Sequence, residues 1–251
     1  MAQKGMVAFF DILGYQDIID NNLIEDVAKI ILDILLKLPL ETRDSMIDMI
    51  KGVAESNARV MELLDSIRYR VISDSILLVC EIPEDKRSLE KFYWSIFLLY
   101  VLFLLQKSFK SGLPLRGAID YGEFFIDSNC FAGKPIINCY RLSNRMEFSG
   151  CVLTSDCGKI LRACLDSTGN EDIKVIVDRY VLSYLVPLKD EEVRLWTVVW
   201  TIGGGVIGDV RQYITKGFQA HNKDVHRNVY PKIENTEIMV RCFMERHKNI
   251  E

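Results

Sequence analysis

Two strand-like runs stand back to back near the middle of the chain, IRYRVI at residues 67–72 and SILLVCEI at residues 75–82. Both are rich in β-branched and aliphatic residues, and only Ser73 and Asp74 separate them. A two-residue connection between runs of this kind is typical of a tight β-hairpin. The stretch therefore predicts an antiparallel strand pair, around which the other elements can be placed.

The segments that flank the hairpin predict the rest of the fold. VAFFDIL at 7–13 is a strand-like run, and apolar residues at helical spacing follow it from 15 to 38, where Pro39 ends the helix. The predicted order through residue 154 is strand, two helices, two strands, helix, two strands, helix, strand. This is an expanded βαββαβ arrangement, so we predict an α+β, ferredoxin-like fold with an antiparallel sheet and helices. We expect a core at 1–155 and a C-terminal extension at 156–251, packed on the core or on a dimer interface.

The extension is predicted to begin with a helix at 155–165. Strands are expected near 173–187 and 193–201, followed by two helical patterns. A glycine-rich segment at 203–208, GGGVIG, has the spacing of a dinucleotide-binding loop. It lies at the end of the chain rather than in a βαβ unit at the start of a nucleotide domain, so we interpret it as a turn or linker.

Composition excludes several classes of protein. The 251 residues are 49% hydrophobic and 26% charged, which is the balance of a globular chain and not of a disordered or coiled-coil protein. The formal net charge of −4 gives no general attraction to a polyanion. We therefore expect neither a nucleic acid nor an anionic membrane as the main partner, although a local basic pocket for a small phosphate ligand remains possible.

The location of the protein is predicted from what the sequence lacks. The N-terminus has no signal-peptide pattern, and the most apolar run, FYWSIFLLYVLFLL at 92–105, is shorter than the roughly 20 residues that span a bilayer. We interpret this run as a buried core helix. The seven cysteines form no CxxC pair, which argues against a structural zinc site. A cytoplasmic protein with reduced thiols is expected.

Two aspartates interrupt apolar strands and are candidates for chemistry. Asp11 lies at the end of the first strand, and Asp74 lies in the hairpin. In a ferredoxin-like sheet the first strand lies beside the third, so the two carboxylates are expected at one edge of the sheet. Paired carboxylates are ligands that Mg²⁺ prefers. Spacing alone favours a structural role, in which Asp11 caps the next helix and Asp74 is a turn residue.

Four ordered motifs resemble those of the class III nucleotidyl cyclases. They are VAFFDILGYQDII at the first strand, YRVISDSILLV at the hairpin, LRGAIDYG at 115–122 and GKPIINCYRL at 133–142. The serine of the hairpin, the RGAI strand and the GKPIINCYRL helix most resemble the Pycsar pyrimidine cyclases of bacterial antiphage defence. The resemblance covers more than half of the chain.

The resemblance implies roles for individual residues. Asp11 and Asp74 match the metal-binding aspartates, and the backbone carbonyl of Ile12 matches a further metal ligand. Arg141 falls on the arginine that contacts phosphate oxygens in the transition state, where a guanidinium stabilises developing negative charge. The implied cofactors are two divalent ions, Mn²⁺ or Mg²⁺. The family also implies a homodimer whose active sites are shared across the interface, with Asp11 and Asp74 facing Arg141 of the other chain.

Base selection is assigned to the residues that precede the hairpin turn. Arg70 occupies the position at which the family has a purine-selecting Lys or Glu. This chain has neither of those residues there. Arg70 can donate to a pyrimidine carbonyl and Tyr69 can stack or hydrogen-bond, but strand alternation points the two to opposite faces. A structural alternative, a surface arginine on a strand, stays open for Arg70.

The sequence departs from the family pattern at three places. Ser73 replaces the hairpin glycine. Ile137 stands at the position of the ribose-orienting asparagine, and Asn138, the candidate substitute, lies one residue later, about 100° further round a helix. Asp120 stands where the strand motif usually has histidine.

The resemblance implies an enzyme, a phosphorus-oxygen lyase that converts UTP or CTP into cyclic UMP or cyclic CMP and pyrophosphate, as a second messenger in antiphage signalling. Two alternatives are kept. One is a cyclase with purine or relaxed specificity, and the other is a catalytically silent nucleotide sensor with the same fold.

Overall fold

The computed structural model describes residues 2–50, 57–127, 130–167, 171–201 and 208–248. The strands, in chain order, are β1 (Gln3–Ile12), β2 (Ile67–Ile72), β3 (Ser75–Glu81), β4 (Leu115–Ile126), β5 (Phe131–Gly133), β6 (Gly150–Leu153), β7 (Val181–Pro187) and β8 (Glu192–Val198). The α-helices are α1 (Tyr15–Asn21), α2 (Ile24–Ile30), α3 (Leu38–Ile50), α4 (Asn57–Ser66), α5 (Glu90–Lys110), α6 (Lys134–Ser143), α7 (Ser155–Asp166), α8 (Glu171–Tyr180), α9 (Val210–Gln219) and α10 (Tyr230–Lys248).

All eight strands belong to one sheet. Its order is β2-β3-β1-β4-β6-β8-β7, and β5 pairs with β4 outside this path. β1 lies between β3 and β4 and pairs with both in antiparallel fashion, whereas β4 and β6 run parallel. The predicted α+β, ferredoxin-like arrangement is therefore confirmed, including the position of the first strand beside the third. β8 and β7 continue the same sheet beyond β6.

Helix α5 is the centre of the hydrophobic core. Residues Glu84–Lys110 are long and apolar enough to cross a membrane by length and composition, but 61% of the most apolar window is buried inside the protein. Trp94, Phe97 and Leu98 are fully buried, and the Trp94 ring stacks on Tyr121 of β4 at 5.8 Å. This supports the interpretation of the apolar run as a core helix.

The region after β1 is more broken than its periodicity predicts. The expected helix over 15–38 is divided into α1, α2 and a π-helical segment, Ile31–Leu35. α1 ends because the side-chain amide of Asn22 donates to the carbonyl of Ile18 at 2.9 Å, and a local side-chain bond of this kind competes with helix continuation. Pro39 lies in the first turn of α3, where a missing N–H group is tolerated.

The prediction of a strand from residue 173 was wrong over its first half. Residues Glu171–Tyr180 form α8, and β7 begins at Val181. Ile173 and Val177, four residues apart, are the buried positions of α8, which packs against α5. Tertiary packing therefore outweighs the β-branched composition. The glycine-rich segment at 203–208 lies outside the described residues except for Gly208.

Candidate functional site

The two candidate carboxylates meet at the end of β1. Asp11 is paired in register with Ser75, the first residue of β3, and the N–H of Ile12 donates to the carbonyl of Asp74 at 3.2 Å. The Asp74 carboxylate lies close enough to the Asp11 carboxyl to raise its pKa. The expectation that these side chains lie together at one edge of the sheet is met, and Ile12 lies directly beside them.

The hairpin turn explains why the family pattern has glycine at position 73. Ser73 has a φ of 54°, in the left-handed region that glycine adopts most easily. The turn therefore keeps its conformation with serine. This conformation places Asp74 at the start of β3, opposite the end of β1.

Sequence reasoning missed Arg116, which is the direct partner of Asp11. Arg116 on β4 is the register partner of Asp11, and its Nε and Nη2 lie 2.8 and 2.7 Å from the Asp11 Oδ2. Its Nη2 also donates to the Asn144 Oδ1 at 3.1 Å, at the end of α6. Both nitrogens contact Oδ2 of Asp11. A β1–β4 register predicted from the sequence is the signal that would have identified this pair.

Burial sets the proton affinity of the site. The side chains of Asp11 and Arg116 are only 16% and 14% exposed. Burial raises the pKa of Asp11 from 3.8 to about 6, the Arg116 guanidinium opposes this rise, and the Asp74 carboxylate adds to it. A cation placed between the two carboxylates would favour their charged forms.

The donor set fits a hard divalent ion bound together with a phosphate. Among the described residues there is no group of three or more His, Cys, Asp or Glu side chains that could hold a metal ion. Asp11, Asp74 and the carbonyl of Ile12 offer oxygen atoms only. Mg²⁺ and Mn²⁺ prefer oxygen ligands, and Mg²⁺ commonly takes one or two carboxylates and completes its shell with water and substrate phosphates.

Arg141 lies on the sheet face of Asp11 but is not joined to it within the chain. It is exposed in the last turn of α6, and the described part of the chain offers it no hydrogen bond or ion pair. Helix α6 covers the face on which the Tyr140 ring meets Phe9 edge-on at 5.5 Å. Phe9 and Asp11 share this face because they are two residues apart on β1.

The two candidate base-contacting residues lie on opposite faces of the sheet. Arg70 is the register partner of Leu77, which pairs with Phe9, so Arg70 shares the face of Asp11. Its Nη2 lies 3.4 Å from the carbonyl of Asp127, and its Nε is buried without a partner among the described residues. Tyr69 points to the other face and packs against the core. Of the two, only Arg70 is placed to approach a ligand beside Asp11.

Asn138 is engaged inside the chain, together with the unexpected Asp120. The Asn138 amide donates to Asp120 Oδ2 at 2.8 Å, and the Thr154 hydroxyl donates to Asp120 Oδ1 at 2.6 Å. Asp120 is 5% exposed. The two departures from the family pattern therefore satisfy each other, and Asn138 is not free for a ribose. Ile137, at the family's asparagine position, is 50% exposed.

No family model and no curated protein matches this sequence. Among solved structures, the chain is similar to the guanylyl cyclase Cya2, at 12% identity and a TM-score of 0.41 over 79% of this chain and 93% of that one. It is also similar to the catalytic core of a rhodopsin-guanylyl cyclase with converted specificity in complex with ATPαS, at 15% identity and a TM-score of 0.46, covering 79% and 96%. A class III adenylyl cyclase-like ATP-binding protein from Pseudomonas aeruginosa is similar at 15% identity and a TM-score of 0.45, covering 70% and 40%. At these identities the similarity is one of fold.

Proposed function

We propose that this protein is a nucleotidyl cyclase that converts UTP or CTP into the 3′,5′-cyclic monophosphate and pyrophosphate. The observation that carries the proposal is the half-buried pair of carboxylates, Asp11 and Asp74, brought together by the β1–β3 register. A cytoplasmic location and a role in antiphage signalling are implied by the resemblance and belong to the same proposal.

The carboxylate pair has the chemistry of a site for Mn²⁺ or Mg²⁺ and a triphosphate. Asp11, Asp74 and the Ile12 carbonyl would hold two divalent ions, which supply Lewis-acid polarisation of phosphate oxygens and favour loss of the ribose 3′-hydroxyl proton. The hydroxyl oxygen then attacks the α-phosphorus, and the bond to the bridging oxygen of the β-phosphate breaks. No covalent nucleophile from the protein is required.

The positive charge for the transition state is assigned to Arg141 of a second copy of the chain. Arg141 is exposed and has no partner among the described residues, while Ile137 and Tyr140 beside it are 50% and 53% exposed. Large apolar side chains around an unpaired arginine are typical of an interface centre. In a two-fold dimer, one such face placed against its copy creates two equivalent shared sites.

Specificity for the base is assigned to Arg70. Its guanidinium lies on the face of the carboxylate pair, and its Nη2 makes only a long bond to a backbone carbonyl. A guanidinium donates hydrogen bonds and accepts none, which matches the carbonyl oxygens of a pyrimidine. The amino group of adenine is a donor and gains nothing from this partner, whereas guanine O6 is an acceptor like the pyrimidine carbonyls, so Arg70 disfavours the adenine amino group and the product analysis separates guanine from the pyrimidines.

The proposal is tested by incubating purified protein with Mn²⁺ and each of the four nucleoside triphosphates separately, with products identified by mass spectrometry. Cyclic UMP or cyclic CMP, absent with Asp74→Ala, is the expected result. Asp172→Ala, at an exposed position of α8, is the matched control and should retain activity. Cyclic AMP or cyclic GMP alone would overturn the pyrimidine assignment, and the absence of any product from folded protein would overturn the enzymatic one.

Subunit mixing tests the shared site. Asp74→Ala and Arg141→Ala proteins are each expected to be inactive, because every site in either homodimer lacks one residue. Mixed subunits contain one site with both residues and should recover activity. No recovery after demonstrated subunit exchange would contradict the assignment of Arg141 to the partner chain's site.

One observation favours a second candidate, a nucleotide sensor without turnover. The family's ribose-orienting asparagine is replaced by Ile137, and the Asn138 amide is bound to Asp120 instead. A protein with this arrangement can still bind a nucleotide through its carboxylates. Saturable nucleotide binding in the presence of Mn²⁺, without release of pyrophosphate, would identify the sensor.

A further inference from the structure

The sheet opens between β6 and β8, and a groove occupies the gap. β8 pairs with β7 over seven residues but with β6 through a single residue pair, Val152 and Thr197. The chain leaves β6 at Thr154 and enters α7, so the two strands diverge there. The resulting groove has a volume of about 400 Å³, which is within the range of small-molecule sites.

The groove is lined by cations and hydroxyl groups. It is formed by Thr154, Ser155, Gly158, Lys159, Arg162, Arg194, Leu195 and Trp196. Three of these eight residues are basic and none is acidic. Lys159 pairs with Asp156 and Arg162 pairs with Asp178, both acids outside the lining, while Arg194 is exposed and has no ion pair within the described residues.

The floor of the groove holds an aromatic ring in a fixed position. The Arg162 guanidinium lies over the Trp196 ring, 4.4 Å from its centroid, which orients both side chains. Trp196 also packs closely on α7, because a Cβ atom at Gly158 would lie 2.7 Å from the indole Cδ1. Trp196 and Arg194 lie on one face of β8, since they are two residues apart.

We propose that this groove is a binding site for a small phosphate-bearing anion. Lys159 and Arg162 are already paired with carboxylates, so Arg194 supplies the uncompensated positive charge that a phosphate dianion would meet in the groove, with the two paired cations beside it. Arg162 and Arg194 offer guanidinium donors, Ser155 offers a hydroxyl, and the Trp196 ring forms an apolar wall for an organic group.

The groove is separate from the carboxylate pair but physically connected to α6. Thr154 belongs to the lining and donates to Asp120, which accepts from Asn138 on α6. The helix that carries Arg141 is thus two hydrogen bonds away from the groove. The proposal concerns binding and does not depend on cyclase activity.

Binding is tested with inorganic pyrophosphate in metal-free buffer containing EDTA and 0.15 M NaCl. The signals are tryptophan fluorescence and isothermal titration calorimetry. Trp94 and Trp200 are buried, so a fluorescence change that disappears in Trp196→Phe reports on the groove. Arg194→Gln should weaken pyrophosphate binding about tenfold, because a hydrogen bond to a charged group is lost.

Arg211→Gln is the matched control, because Arg211 on α9 is also exposed, has no ion pair within the described residues and lies outside the groove. It should bind pyrophosphate like the wild type. Saturable binding that is weakened by Arg194→Gln and unaffected by Arg211→Gln supports the site. Equal affinities in all three proteins, or no saturation with the wild type, would overturn it.

Discussion

Replacing Asp11 by asparagine is expected to inactivate the protein and, in the absence of metal, to make its stability less sensitive to pH. In the wild type the pKa of Asp11 is raised from 3.8 to about 6, chiefly by burial. The folded protein therefore holds a proton between these pH values that the unfolded chain has released. Stability is then highest at low pH and falls as pH rises through this window.

The size of the effect follows from the two pKa values. A change of one pKa unit corresponds to about 1.4 kcal/mol, so the charged Asp11 costs the wild type about 3 kcal/mol at pH 7.5. Part of this cost is already present at pH 5, so the difference in the free energy of unfolding between Asp11→Asn and the wild type should shift by roughly 1 kcal/mol in favour of Asp11→Asn between pH 5 and pH 7.5. Arg116 stays charged over this pH range, so the free energy that it loses with its partner in Asp11→Asn is the same at both pH values. It therefore cancels from the change in the stability difference between pH 5 and pH 7.5.

The measurement is urea unfolding of both proteins in EDTA at the two pH values. Addition of Mn²⁺ at pH 7.5 should then stabilise the wild type and leave Asp11→Asn unchanged, because only the wild type retains both carboxylates. A stability difference that is independent of pH would show that the Asp11 carboxyl is not destabilised by the fold. A difference of opposite sign would show that the Arg116 pair outweighs burial.

Three further predictions concern packing, capping and association. Gly117→Ala should lower the free energy of unfolding, measured in urea, by about 2–3 kcal/mol, because its Cβ would lie 2.2 Å from a ring atom of buried Phe10. Gly122→Ala in the same strand is the control and should be nearly neutral, because the nearest neighbour of its Cβ would lie 3.5 Å away. Thr154→Val should cost about 1–2 kcal/mol in the same assay, because it removes the bond to Asp120 and the helix cap that accepts from the Cys157 N–H at 3.2 Å. Ile137→Glu should convert the proposed dimer to a monomer by light scattering and abolish turnover, while an unchanged mass and rate would place the interface elsewhere.

The central strands were predictable because local rules determine them. A two-residue connection between IRYRVI and SILLVCEI leaves the chain little choice except a hairpin, and period-two alternation then assigns each side chain to a face. The separation of Tyr69 and Arg70 follows from the same alternation. Alternation does not show which face of the hairpin lies beside the site. That depends on whether β2 or β3 pairs with β1, and in the structure it is β3.

The features that the sequence did not predict depend on contacts between residues far apart in the chain, or on a side chain that takes the place of a backbone hydrogen bond in a helix. The Arg116–Asp11 pair spans 105 positions and depends on the β1–β4 register. The sequence identifies Asp120 as a departure from the family pattern, but its role depends on Asn138 of α6 and on Thr154, the N-cap of α7. The break after α1 depends on one asparagine amide, and no apolar periodicity contains that information.

The energetics of the carboxylate pair argue for its function independently of any resemblance. Burial raises the pKa of Asp11 to about 6, the neighbouring Asp74 carboxylate adds to this rise, and Arg116 only partly compensates. A neutral residue at position 74 would relieve the repulsion that Asp11 feels, whereas one at position 11 would also leave Arg116 without its carboxylate partner. Arrangements that cost stability are a feature of sites built to bind something else, and under the proposed function that partner is a divalent cation. The oxygen donors of Asp11, Asp74 and Ile12, together with the exposed Arg141 that the proposal assigns to the site of the other copy, suit a metal-bound polyphosphate better than either feature alone.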